Sequence, residues 1–158
     1  MEMVILIGLQ GSGKSTFYRR RFAWTHMLVS KDLLRNNRNP ARRQAQLIEE
    51  ALRAGRSLVV DNTNATMEAR TELVGLARAH GAKVLGYYFH AHVKQSLERN
   101  ALREGRARVP DVAIYATMKK LVRPSYEEGF DQLFYVRAVG DMRFEVRDWS
   151  EEPRRQSG

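Results

Sequence analysis

Eight residues near the N-terminus carry the plainest chemistry in the sequence: Gly8-Leu9-Gln10-Gly11-Ser12-Gly13-Lys14-Ser15. They spell G-x-x-x-x-G-K-S and directly follow the apolar run Met3-Val4-Ile5-Leu6-Ile7. Glycine lets a chain turn tightly and bring backbone N–H groups close to an anion. A helix starting near Lys14 aims its N-terminal donors and dipole at the same point. A buried strand, a glycine turn and a helix together form the setting in which this pattern cradles the phosphates of a nucleoside triphosphate. Gly8, Gly11, Ser12 and Gly13 build the cradle. Lys14 reaches the β- and γ-phosphates, and the Ser15 hydroxyl ligates Mg²⁺.

Two aspartates could complete a transfer site. Asp61 follows Val59-Val60 at the end of an apolar strand. That is the place for a carboxylate near Mg²⁺ or its water shell, although a helix cap or turn aspartate would read the same way. Asp32 lies just past a second short strand, with Arg35 three residues on. In a helical turn the two share a side. Asp32 could accept the proton of an attacking hydroxyl while Arg35 grips a neighbouring phosphate, or the two could form an ordinary exposed pair. Arg99 and Arg103 are four apart on an expected helix, and Gly105, Arg106 and Arg108 follow in a basic turn. Such a segment either neutralises charge at the mouth of a phosphate site or is a solvated basic face. His80, His90 and His92 lack the spacing of a zinc site. Tyr87-Tyr88-Phe89, Phe130, Phe134 and Tyr135 read as core aromatics rather than base-stacking platforms.

The elements that must position these residues alternate. Strands are expected at Met3–Ile7, Met27–Ser30, Ser57–Val60, Lys83–His90, Gln132–Val136 and Met142–Val146. Helices are expected at Thr16–Phe22, Ala41–Ala54, Thr66–His80, His92–Glu104 and Pro110–Leu121, with one or two helical turns over Lys31–Asn36. This order predicts an α/β domain with a mainly parallel sheet flanked by helices. Ligands in such folds bind beyond the carboxyl ends of the strands. Gly8, Ser30, Asp61 and His90 all end strands and should converge there.

With 158 residues, one domain over 1–149 is expected, followed by a polar, loose tail over 150–158. The chain has no cysteine, which excludes disulfide partners and thiolate metal sites. No run is long and apolar enough to span a membrane and no leader is visible, so a cytoplasmic protein is expected. Net charge is +9, which favours a polyanionic partner such as nucleic acid, or serves solubility alone.

Taken together, the chain resembles the kinase module of polynucleotide 5′-hydroxyl kinases, from about Met3 to Trp149. Four segments carry the likeness: the glycine loop with Lys14, Ser15 and Thr16; Ser30-Lys31-Asp32-Leu33-Leu34-Arg35; Val60-Asp61-Asn62-Thr63-Asn64 with Arg70 downstream; and Glu98-Arg99-Asn100-Ala101-Leu102-Arg103 followed by Arg108-Val109-Pro110-Asp111. Glu128-Gly129-Phe130 also fits. The resemblance implies a P-loop kinase fold with a small helical lid. It implies ATP as donor with Mg²⁺, Thr16 at the donor site, Asp32 as general base and Arg35 on acceptor phosphate. It further implies Lys14 and Arg103 on the transferring phosphoryl group with Arg99 in support, and Asp61, Asn64 and Arg70 on the acceptor side. The acceptor would be the 5′-OH end of DNA or RNA. Many members are fused to a phosphatase with a D-x-D-x-T motif. That motif is absent here, so 3′-end healing is not expected.

Two other readings stay open at this stage. Sugar, nucleoside and antibiotic kinases share the glycine loop and a strand-end aspartate. A nucleotide-dependent switch would hydrolyse slowly and transfer to no acceptor.

Overall fold

The computed structural model describes residues 1–140 and 143–149. Strand β1 (Glu2–Ile7) is an unbroken apolar run, and Met3 to Ile7 are fully buried. Such a run belongs in the middle of a parallel sheet covered on both faces. The other strands are β2 (Met27–Val29), β3 (Leu58–Asp61), β4 (Lys83–Phe89), β5 (Gln132–Val139) and β6 (Arg143–Asp148). Their order across the sheet is β2-β3-β1-β4-β5-β6. The first five run parallel, and β6 pairs antiparallel with β5.

Helices α1 (Lys14–Arg21), α2 (Pro40–Arg53) and α3 (Met67–Ala79) cover the two faces. Alternation along β1 sends Met3, Ile5 and Ile7 to the face under α2 and α3, where Ile48, Leu52, Leu73 and Val74 meet them. Val4 and Leu6 point the other way, toward Phe17 and Tyr18 of α1 and the ring of Phe89. The Tyr87-Tyr88-Phe89 run is buried, as expected of core aromatics, and the Tyr87 ring stacks on Phe134 at 4.7 Å. Phe130 is buried too. Because β1 to β4 are parallel neighbours in register, Ile7, Val29, Asp61 and Phe89 finish near one edge.

Several boundaries differ from expectation, each for a local reason. Helix α2 begins one residue early because the Asn39 side chain accepts from the Arg42 amide and Pro40 needs no partner for its nitrogen. Helix α4 (Val93–Ala101) stops short of Glu104. The buried Asn100 side chain donates to the Val109 carbonyl at 2.6 Å and accepts from the Val109 amide at 2.9 Å. That pairing pinches off residues 102–109 as a loop before α5 (Asp111–Lys120). The segment is therefore a loop with one 3₁₀ turn at Gly105–Ala107, and Arg103 is not on the helix that carries Arg99. The turn after β2 is a single 3₁₀ turn, Lys31–Leu34. Strand β5 runs on to Val139 because β6 pairs with it as far as Arg143. Met142 and the expected tail over 150–158 lie outside the described residues.

Candidate active site

Residues 8–13 form the loop between β1 and α1. Gly11 has φ +77° and Gly13 φ +99°, backbone angles that side chains with a Cβ rarely adopt. Space also matters at Gly11, where a Cβ would sit 2.7 Å from the Ser96 carbonyl oxygen. The loop is fixed from the neighbouring strand, since the Gly8 amide donates to the Thr63 carbonyl at 3.0 Å. Lys14 is almost fully buried, and its Nζ donates to the carbonyls of Gly8 (2.9 Å) and Leu9 (2.7 Å). Burial lowers its pKa to about 8; Asp61 acts against that, Arg103 adds to it and Asp32 opposes it. A bound anion there would favour the charged ammonium. Thr16 is in the first turn of α1, where its hydroxyl accepts from Arg19 at 3.1 Å.

The Ser15 hydroxyl, in the first turn of α1, donates to Asp61 Oδ2 at the end of β3 at 2.9 Å, so the two residues expected at a metal stand side by side. The surroundings fit a nucleotide with its metal. The Ser12 hydroxyl is buried among glycines with no hydrogen-bond partner among the described residues, as suits a group that would meet a phosphate oxygen. Among the described residues no three His, Asp or Glu side chains gather as a metal cluster. Ser15 and Asp61 would therefore hold Mg²⁺ together with phosphate and water oxygens, the usual habit of that ion.

Asp32 stands on the 3₁₀ turn after β2. The Ser30 hydroxyl accepts from its backbone amide at 3.2 Å, and its carboxylate is 84% exposed. Arg35 lies 3.4 Å from Asp32 Oδ1 and also donates to the Arg106 carbonyl through both terminal nitrogens at 3.3 Å. Arg106 in turn donates to Asn36 at 3.3 Å. The 102–109 loop, which stands where a lid is expected, is thus tied to the turn that carries Asp32. Arg99 donates to the Gly11 carbonyl at 3.2 Å, and Arg103 to the Ala107 carbonyl at 3.2 Å. Beyond the ends of β4 and β5, Ser12, His90, His92, Arg99 and Arg137 line a cleft beside the glycine loop. There Tyr135 Oη and His90 Nδ1 lie 2.7 Å apart. Burial, with the charges of His92, Arg137 and Arg123, keeps the His90 pKa low.

One acceptor-side assignment changes, that of Arg70, and Asn64 is tied down beside it. Arg70 is fully buried, and its guanidinium pairs with Glu128 at 2.7 and 3.1 Å and donates to the carbonyls of Asn64 and Ala65. It holds the loop after β3 and faces no substrate. Asn64, at φ +46°, is also buried, and its amide nitrogen donates to the Leu6 carbonyl at 2.7 Å, linking the ends of β1 and β3. Asn62 and Gln44 escaped sequence reasoning. Asn62 Oδ1 accepts from the Lys31 amide at 2.9 Å, and its Nδ2 donates to Gln44 Oε1 at 2.7 Å. This chain of bonds sets the Asp32 turn against β3 and α2. The one available hint was a glutamine on the apolar face of α2.

Residues 3–124 match the family described as an AAA domain, more than half of the chain. The chain belongs to that family of P-loop proteins. It is 26% identical over 135 residues to the bifunctional polynucleotide phosphatase/kinase of Schizosaccharomyces pombe, covering 82% of this chain and 32% of that protein. The chain thus spans about a third of the length of the curated relatives it matches. Among solved structures, Chaetomium thermophilum Kti12 in complex with ADP-AlF3 superposes with a TM-score of 0.67 at 15% identity, covering 88% of this chain and 90% of that one. A gluconokinase from Sinorhizobium meliloti 1021 superposes with a TM-score of 0.63 at 19% identity, over 89% and 85%. The expected fold stands: the chain has the P-loop kinase fold, and its resemblance to polynucleotide phosphatase/kinases extends over most of the chain. No helix among the described residues is long and apolar enough to cross a membrane.

Proposed function

We propose that this protein is an ATP-dependent polynucleotide kinase that phosphorylates the 5′-hydroxyl end of a DNA or RNA strand. The chief support is that Lys14, the Ser15–Asp61 pair and the Asp32–Arg35 turn share one sheet edge, with Arg106 of the lid bonded to the acceptor turn. The polynucleotide kinase among its relatives and the net charge of +9 favour a nucleic-acid acceptor over a small molecule.

In the reaction, the Asp32 carboxylate accepts the proton of the 5′-hydroxyl as that oxygen attacks the γ-phosphorus. The new O–P bond forms as the bond from the γ-phosphorus to the β–γ bridging oxygen breaks, and ADP leaves. Lys14 and the loop amides hold the donor phosphates, and Arg103, with Arg99 in support, neutralises the equatorial charge. Mg²⁺, held at Ser15 and Asp61, would supply further neutralisation of the β- and γ-oxygens. Arg35 would grip the first internucleotide phosphate of the acceptor. The chain carries no D-x-D-x-T motif, so we assign it no 3′-phosphatase chemistry.

The test is transfer of labelled γ-phosphate to a 5′-OH oligonucleotide, beside a 5′-phosphorylated control. Label should enter the 5′-OH strand alone. Asp32→Ala should lose about 10²–10⁴-fold in rate while still binding ATP. Absence of transfer to DNA and RNA from protein that binds ATP would overturn the proposal and point to small-molecule acceptors.

A further inference from the structure

A slot separates the N-terminal halves of α2 and α3 and opens beside Lys31, the neighbour of Asp32. Its walls near the mouth are methyl groups: Ala41 and Ala45 on α2, and Ala69 on α3. Two amides lie on its floor, Gln44 at 7% and Asn64 at 6% exposure. Gln44 Oε1 is held by Asn62 at 2.7 Å, which leaves Nε2 as a donor with no partner among the described residues. Asn64 Nδ2 is held by the Leu6 carbonyl at 2.7 Å, which leaves Oδ1 as an acceptor likewise. Neither atom is sealed in the interior, so a ligand in the slot can reach both. A free donor and a free acceptor on one floor, between apolar walls, suit a flat ligand whose edge carries both functions.

We propose that this slot receives the nucleobase of the acceptor's 5′-terminal nucleoside. The inference rests on the polynucleotide kinase reading, and it adds a contact that reads the base rather than the phosphates. Lys31, one residue before Asp32, lines the slot, so a nucleoside whose 5′-hydroxyl sits at Asp32 has the slot beside it. The base edge then pairs with Gln44 Nε2 and Asn64 Oδ1, and the ring lies between the alanines. The Lys31 ammonium at the mouth faces the chain of phosphates that follows.

The experiment compares two 5′-OH oligonucleotides that differ only in the terminal residue, one bearing a base and one an abasic tetrahydrofuran. Wild type should favour the base-bearing end by about tenfold or more in kcat/KM, mostly through KM. Ala45→Leu fills the slot and should bring the ratio down to about one. Equal use of both ends by wild type overturns the proposal without any variant, and so does an unchanged ratio in Ala45→Leu. Transfer to neither end overturns it through the acceptor class, a failure distinct from use of both ends alike.

Discussion

The donor half and the acceptor half of this site are built differently. The glycine loop is held mainly by buried groups and backbone bonds: Lys14 is 8% exposed, the Gly8 amide is tied to Thr63 beyond β3, and Arg99 closes on Gly11. Around Asp32 the carboxylate is 84% exposed, and the lid is joined to the acceptor turn by exposed bonds of 3.3 Å. Nucleotide phosphates are the same in every turnover, so their site can be fixed in advance. On the proposed reading an acceptor end enters between the turn and the lid, so that side has to open. The contrast teaches that nucleotide binding rests on the fold itself, while acceptor binding rests on contacts that cost little to break.

The sharpest way to break this contrast is to attack what holds the donor half. The Arg70–Glu128 pair lies at 0% and 3% exposure, and Arg70 holds the carbonyls of Asn64 and Ala65 just beyond the Thr63 anchor. Arg70→Met leaves a buried carboxylate alone and should lower stability by about 3–5 kcal/mol, read as a fall in the denaturation midpoint. Arg70→Met/Glu128→Gln should regain part of that loss, because no unpaired charge remains while the Ser125 amide keeps an acceptor. If Arg70→Met melted like wild type while acceptor KM rose, Arg70 would be a substrate contact and the donor half less rigid than described.

That Arg70 resembled a substrate contact in sequence shows where legibility ends. Alternating apolar runs gave the sheet and its helices because burial on both faces leaves a pattern readable over a few residues. The glycine loop was readable because backbone geometry selects residue type at Gly11 and Gly13. Arg70 was misread because its partner, Glu128, is 58 residues away, and no local spacing marks a buried pair. The end of α4 was missed for the same reason: Asn100 meets Val109 through its side chain, a tertiary cap that periodicity does not record. Asp32 and Arg35 were legible as a pair, but not the lid carbonyl that Arg35 also holds.

The donor half should also show itself in pH. Burial lowers the Lys14 pKa from its ordinary 10.5 to about 8 in the free protein, and bound phosphates would raise it again. Below pH 8 the ammonium is already charged and nucleotide affinity should be flat. Above pH 8 binding must take up a proton, so affinity should fall by up to about tenfold per pH unit. Titrations of ATP between pH 7 and 9.5 would read the slope, and Lys14→Met should bind weakly with no slope. For the free protein the sign is opposite. Between about 8 and 10.5 the unfolded chain binds the proton that the folded chain has lost, so Lys14 contributes rising stability with pH. A flat affinity in wild type up to pH 9.5 would mean that Lys14 keeps its charge and that its burial is not the governing effect.

The smallest effect belongs to the acceptor half, and its smallness is what the comparison requires. Asn36 accepts from Arg106 at 3.3 Å across 70 residues of chain, in an exposed position. A hydrogen bond between exposed partners is exchanged for water at almost no net cost. Asn36→Ala should therefore change stability by no more than about 0.5 kcal/mol and leave ATP affinity as it is. Acceptor KM should move by less than about threefold, because Arg35 still reaches the Arg106 carbonyl when the lid closes. A loss of more than about 1.5 kcal/mol in Asn36→Ala would show that the lid is fastened to the Asp32 turn as firmly as Arg70 is to Glu128. Acceptor entry would then require breaking a structural bond, and lid opening rather than phosphoryl transfer would set the pace of turnover.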